Sequence, residues 1–319
     1  MRPFRFLAEP GDVADGRALV EAAREAESIG YDVMVYPDHV VLPFGLVPLL
    51  STVAALTTRL RVAAFVVNND LRHPALVAQD MASIDVLSGG RVEVAIGAGW
   101  NVPEYEALGI PFDGIGTRVR RLTEAVAVIK GCFGDRPFSF AGEFYTITNH
   151  DGLPKPVQKP RPPLFIGGGG RRLLTLAGRE ADIVGVAPRT IATAPGAAVI
   201  RSDPRSITVA ATEEKLAWVR EAAGDRFRDL EINAYPSGTE PILTDHARKE
   251  GQDVLDGIRR RTGIEITLDE FLESPHVFIG SVDGLVAKLQ EQRERLGISS
   301  IMTGAYRTLA PVVERLAGT

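Results

Sequence analysis

SGGRVEVAIGAGWNVPEYEALGIPF, residues Ser88–Phe112, changes character twice along its length. A turn, Ser88-Gly89-Gly90, leads into a β-branched run of Val92, Val94 and Ile96. The run breaks at Gly97-Ala98-Gly99-Trp100-Asn101, and a helical piece follows over Pro103–Leu108. A buried strand that ends in glycines, then in an aromatic and an amide, lets another group approach the backbone closely. The stretch reads as one strand end of a barrel, open to a flat ligand.

Outward from it, strands and helices alternate. Before it, Phe4–Glu9 reads as a strand, followed by a helix with Leu19, Ala22, Ala23, Ala26 and Ile29 on one face. Asp12 or Asp15 caps that helix and Gly30 stops it. The strand Asp32–Tyr36 runs into Pro37-Asp38-His39, and Pro48–Leu56 is helical. Leu60–Val67 is a continuous apolar strand ending at Asn68-Asn69-Asp70, and His73-Pro74 opens the next helix. After it, Thr117–Phe133 keeps Val119, Leu122, Val126 and Ile129 on one helical face. Phe138–Thr148 reads as an inserted hairpin around Ala141-Gly142, and the prolines of Leu153–Pro163 as a stiff, extended traverse.

The strand Leu164–Ile166 ends in four glycines and two arginines, and a helix follows over Leu173–Arg179. Asp182–Val186, Asp229–Ala234 and Ser299–Met302 are the remaining strands. Glu213–Ala223, Thr244–Arg261, Leu268–Glu273, Val282–Leu296 and Leu309–Leu316 are helical. Ala187–Ser206 is turn-rich, and a connection of that length over a mouth reads as a lid. Alternating β and α units argue for a parallel sheet. Uniformly apolar strands argue that both sheet faces are covered. Eight such units favour a closed (β/α)8 TIM barrel of class α/β, carrying a small hairpin insertion, over an open doubly wound sheet. The whole chain, 1–319, reads as one domain.

Composition narrows the function classes. The chain has 319 residues, 45% hydrophobic and 24% charged, with a net charge of −5. Its basic residues form no cluster of the kind nucleic acid requires. The one cysteine, Cys132, excludes an internal disulfide and suits a reducing compartment. The N-terminus MRPFRFLAEP lacks an apolar signal core, and no apolar run approaches a membrane span. A cytoplasmic protein with no nucleic-acid or membrane partner is expected. The histidines His39, His73, His150, His246 and His276 are scattered without HxH or HExxH spacing, and no CxxC occurs, so no metal site is expected. There is no G-x-S-x-G hydrolase elbow.

The working face of such a barrel lies at the C-terminal strand ends. Glu9, Asp38-His39, Asn68-Asn69, Gly97-Ala98-Gly99-Trp100 and Gly167–Arg172 all fall there. His39 can exchange protons near neutral pH, or can be a loop histidine held by a carbonyl. Asn68 and Asn69 can bond a polar ring edge, or form an ordinary Asx turn. Gly97-Ala98-Gly99 resembles the start of a dinucleotide fingerprint, but Val102 and Pro103 break it. Trp100 is either a stacking wall or a core residue at the mouth. Gly167, Gly168, Gly169 and Gly170, followed by Arg171 and Arg172 at a helix start, read as an anion site without the Gly-Lys-Ser/Thr of a P-loop.

Several segments together resemble the luciferase-like monooxygenase superfamily, in particular its F420-dependent oxidoreductase branch. They are YPDH (Tyr36–His39), NNDLRHP (Asn68–Pro74), LSGGRVEVAIGAGWNVPEYEALGIPF (Leu87–Phe112) and PPLFIGGGGRRLLTLAGREADIVG (Pro162–Gly185). The resemblance implies a barrel, often a homodimer, with a tricyclic cofactor ring at the mouth and its phosphate near Gly167–Arg172. It implies that Asp38 and His39 contact the ring region, with His39 in proton transfer. It also implies a non-prolyl cis peptide at or next to Asn68–Asn69. In the F420-dependent sugar-phosphate dehydrogenases of this group, a catalytic Glu directly follows the glycine pair. Trp100 stands at that place here.

The function expected on this basis is an F420H2-dependent reductase delivering hydride to a C=C or C=N bond of a small organic substrate. The alternatives are an FMN-dependent monooxygenase using reduced flavin and O2, and a flavin-binding barrel without catalysis. Apolar loop residues (Leu42, Phe44, Leu46, Ile242) point to a partly hydrophobic acceptor.

Overall fold

Val33–Tyr36 and Val92–Gly97 are buried at every residue, as strands are when helices cover one face and a packed interior the other. The computed structural model describes all residues except 12, 14 and 193–199. In it the barrel strands are β1 (Arg5–Glu9), β2 (Val33–Tyr36), β3 (Arg61–Ala64), β4 (Val92–Gly97), β5 (Leu164–Gly168), β6 (Ile183–Val186), β7 (Glu231–Ala234) and β8 (Ile298–Ala305). Each pairs in parallel with the next, and β8 returns to β1, so the sheet closes into an eight-stranded barrel.

Amphipathic helices wrap this barrel: α1 (Gly16–Ile29), α2 (Leu46–Leu56), α3 (Pro74–Ser88), α4 (Val102–Leu108), α5 (Ile115–Phe133), α6 (Arg171–Glu180), α7 (Val209–Ala223), α8 (Ala247–Thr262), α9 (Leu268–Glu273), α10 (Val282–Leu296) and α11 (Ala310–Leu316). Asp15 caps α1, accepting from the N–H groups of Arg17 and Ala18 at 2.9 Å. The other candidate cap, Asp12, lies outside the described residues. The main core lies between strands and helices, and a smaller cluster around Leu255, Ile258 and Phe271 joins α8 to α9. No described helix is long and apolar enough to cross a membrane.

The barrel interior is layered. At the N-terminal end Arg5 bridges Glu93 (2.5 Å) and Glu231 (2.7 Å), and Arg61 also holds Glu93 at 2.7 Å. These buried carboxylates are therefore paired, as burial requires. Leu7, Val33, Val35, Ala63 and Met302 form the apolar layer above, with Ala95, Phe165 and Ile183 beside it. Phe65, Phe165 and Tyr235 form an aromatic floor under the mouth, with centroids 5.4 and 5.5 Å from Phe65.

Three segments depart from the sequence expectation. The apolar run Leu60–Val67 is divided: β3 stops at Ala64, and Val67–Asn68 forms a separate short strand against β4. The non-prolyl cis peptide joins Phe65 to Val66, before Asn68–Asn69 and not at them. Asn68 and Asn69 are instead held by local bonds: Asn68 N–H donates to Asp38, and the Asn68 side chain caps a single 3₁₀ turn. The proline traverse is no continuous rod, since the Leu153–Pro154 and Lys159–Pro160 bonds are cis and the N–H groups of Val157 and Gln158 bend in to donate to Asp85. Ala187–Ser206 is not all turns. Thr190–Ala192 pairs antiparallel with Ile200–Ser202, and Pro204–Ile207 is a 3₁₀ turn. The remainder of the expected lid, 193–199, lies outside the described residues. The inserted hairpin is present as Phe138–Ala141 against Thr146–His150.

Candidate active site at the barrel mouth

The strand ends enclose a cleft of about 660 Å³. Asp38, His39, Asn68, Gly97, Ala98, Gly99 and Trp100 line one side of it, and Gly167 through Arg172 line the other. Asn69 is not part of the lining. Its buried amide turns away and reaches the Tyr145 hydroxyl at 3.4 Å. The loop residues expected to form an acceptor wall are elsewhere too. Leu42, Phe44 and Leu46 pack onto the main core, and Ile242 packs onto the α8–α9 cluster. Among the residues lining the cleft, Trp100 and Ile115 are the exposed large apolar ones.

His39 sits where the chain leaves β2. Its Nδ1 faces Glu104 Oε2 at 2.8 Å, and Val40 N–H donates to Glu104 Oε1 at 2.9 Å. Trp100 stands edge-on to the imidazole, centroids 5.5 Å apart and planes at 89°. Trp100 is 52% exposed, so it is a wall of the mouth and not a core residue. Asp38 is buried, paired with Arg72, and accepts from Asn68 N–H at 3.1 Å. Its charge is thus already compensated from below the cleft.

The glycines have a packing reason. A Cβ on Gly97 would stand 2.6 Å from the Val66 side chain. Gly99 has φ of +73°, and a Cβ there would fall on the Tyr105 hydroxyl. That hydroxyl, pushed up to about 12 mainly by burial, donates to Asn68 and lies 3.0 Å from both Asn68 Oδ1 and Asp70 Oδ2. Arg118 completes the lock. Its guanidinium donates to the carbonyls of Ala98, Gly99 and Asp113 and lies over the Phe112 ring at 4.0 Å. Burial holds its pKa below the usual arginine value. The β4 end is therefore shaped first by its own neighbours.

Across the cleft, a Cβ on Gly168 or Gly169 would strike Leu173 or the Pro188 carbonyl, while Gly170 faces open space. Gly170 precedes α6 without a side-chain cap. The first N–H groups of a helix lack intrahelical acceptors, so this end presents donors and a positive dipole to the cleft. Arg171 is paired with Glu221, and Arg189 with Glu214. Among the described residues Arg172 has no carboxylate partner, and it lines the cleft.

Sequence reasoning missed Glu104, Arg118, Arg189, the aromatic floor and Tyr105. Glu104 carried a signal: it is an acid one helical turn beyond Trp100, in the stretch already identified as a strand end.

A family model described as luciferase-like monooxygenase matches residues 2–300. Over 128 residues the chain is 37% identical to an FMNH(2)-dependent dimethylsulfone monooxygenase of Pseudomonas putida, covering 40% of this chain and 35% of that protein. Over 186 residues it is 32% identical to an F420-dependent glucose-6-phosphate dehydrogenase of Kineococcus radiotolerans, covering 56% of this chain and 54% of that one. The chain thus spans about a third to a half of the length of these relatives. The structure of the coenzyme F420-dependent tetrahydromethanopterin reductase from Methanopyrus kandleri superposes with a TM-score of 0.75, at 18% identity, over 99% of this chain and 98% of that one. At that identity the likeness is one of fold.

Proposed function

The chain belongs to the luciferase-like monooxygenase family, and from that premise we propose that it is an F420-dependent oxidoreductase acting as a reductase on a C=C or C=N bond. The observation that carries the choice is Trp100. In F420-dependent sugar-phosphate dehydrogenases of the resembling group an acid directly follows the glycine pair, where it can assist alcohol oxidation. Here an exposed indole occupies that position, and Glu104, an acid of the cleft lining, is buried and bonded to His39. A mouth with an imidazole and an indole, whose lining carboxylates Asp38 and Glu104 are already bonded to Arg72 and His39, suits protonation of an acceptor better than deprotonation of a hydroxyl.

The residues fit a tricyclic cofactor carrying a phosphate. Phe65, Phe165 and Tyr235 provide an aromatic floor of mutually tilted rings, and the uncapped start of α6 with Arg172 provides an anion seat. When bound, reduced F420 supplies two electrons as hydride. The chain's own work is to seat the cofactor's anion, hold the acceptor against Trp100 and Ile115, and deliver a proton from His39. The apolar rim favours an uncharged, partly hydrophobic acceptor.

FMN-dependent monooxygenation is the second reading, supported by the 37% identity to the Pseudomonas enzyme. Anaerobic turnover separates the two. With reduced F420 and a panel of enones and imines, the reductase oxidises the cofactor without dioxygen. A strict requirement for dioxygen together with reduced FMN would overturn the proposal.

A further inference from the structure

We propose that Glu104 is a positioning residue for His39: it holds the neutral imidazole in the tautomer protonated at Nδ1, leaving Nε2 as the proton-exchanging atom. The inference rests on the proton-transfer role given to His39 above. Glu104 is 1% exposed, and both of its oxygens are committed to one loop. Oε1 accepts from Val40 N–H, and Oε2 lies 2.8 Å from His39 Nδ1. A backbone N–H can only donate, so it fixes Oε1 as an acceptor, and the carboxylate accepts at Oε2 as well. The proton between Glu104 and His39 therefore sits on Nδ1. The opposite edge of the ring turns away from Glu104, and among the described residues Nε2 has no hydrogen-bond partner. Trp100, perpendicular to the ring, limits its swing. A grip on two consecutive residues by one buried carboxylate orients the ring more firmly than a single bond would.

In the reductive direction the balance is simple. Hydride, which reduced F420 would supply when bound, bonds to one atom of the acceptor as the acceptor's π bond breaks. The N–H bond at Nε2 of the imidazolium breaks, and its proton bonds to the other acceptor atom, the electron pair remaining on Nε2. The Nδ1–H bond to Glu104 persists throughout, and water reprotonates Nε2.

Glu104→Gln tests this sharply. Glutamine has one acceptor oxygen where glutamate has two. With that oxygen on Val40 N–H, its amide NH₂ faces His39 and can only donate, so the ring must place its proton on Nε2. We expect ¹⁵N-histidine NMR of the full chain near neutral pH or above to show the Nδ1–H tautomer for His39 in wild type and the Nε2–H tautomer in E104Q. Turnover in E104Q should fall on the order of 10²-fold with cofactor affinity little changed, and Glu104→Asp should recover part of it. An Nε2–H tautomer in the wild type, or an unchanged Nδ1–H tautomer in E104Q, overturns the proposal. The wild-type spectrum decides the point even if E104Q does not fold. Loss of the reductase reading, through absence of F420 turnover, is a separate result, because the tautomer is read without catalysis.

Discussion

At the scale of single residues, the mouth is built from side chains whose partners lie far away in sequence. His39 and Glu104 are 65 residues apart, and no local pattern announces their contact. The histidine itself was legible because it follows a strand end directly. Its partner was not, because an acid in a short helix usually faces solvent. The glycines were legible as special, but their reason was not. Gly99 is required by a positive φ and by the Tyr105 hydroxyl, which only the folded chain brings together. Gly99→Ala should therefore destabilise the protein by roughly 2 kcal/mol or more in denaturant unfolding. An effect within about 0.5 kcal/mol would show that the β4 end relaxes freely. His39→Ala should lower turnover about 10²- to 10³-fold while leaving cofactor binding nearly intact. Unchanged turnover would remove His39 from the chemistry.

At the scale of elements, periodicity carried most of the reading. The 3,4,3 spacing of Thr117–Phe133 lies within α5, and Leu122, Val126 and Ile129 are buried there. The reading failed where tertiary bonds override local pattern. Asp85 pulls the proline traverse inward, and Asp38 holds the chain beyond the Phe65–Val66 bond. The start of α6 reads as an anion seat in the sequence because four glycines and two arginines separate a strand from a helix. What could not be read was the inequality of the arginines: Arg171 is compensated by Glu221, while Arg172 lines the cleft. Arg172→Ala should weaken cofactor binding about tenfold at low salt, and by less as salt screens the pair. Arg171→Ala should do less. Equal effects from the two variants would argue against a phosphate at this end.

At the scale of the whole molecule, eight apolar strands separated by helices left little choice but a closed barrel, and the ring from β1 to β8 closes as that count demands. The charged layer at its N-terminal end was not legible, since Arg5, Glu93 and Glu231 look ordinary in sequence. One buried group ties global stability to pH. His276 is fully buried with Nδ1 at 2.9 Å from the Tyr235 carbonyl, and burial, then the Lys215 charge, push its pKa down to about 3. The unfolded chain binds a proton there below about 6.5, while the fold does not until about 3. This histidine's contribution is full above about 6.5 and declines as pH falls toward 3, by at most about 1.4 kcal/mol per pH unit. Thermal unfolding should show that slope flattened in His276→Gln, and an identical slope in both proteins would contradict the assignment.

The central claim is that the mouth accepts F420 and that His39 serves it. Equilibrium titration of the purified protein with F420 and with FMN, followed by quenching of cofactor fluorescence, tests it directly. Saturable quenching of F420 is expected, weakened in Arg172→Ala and retained in His39→Ala. Tight binding of FMN with no response to F420 would contradict it.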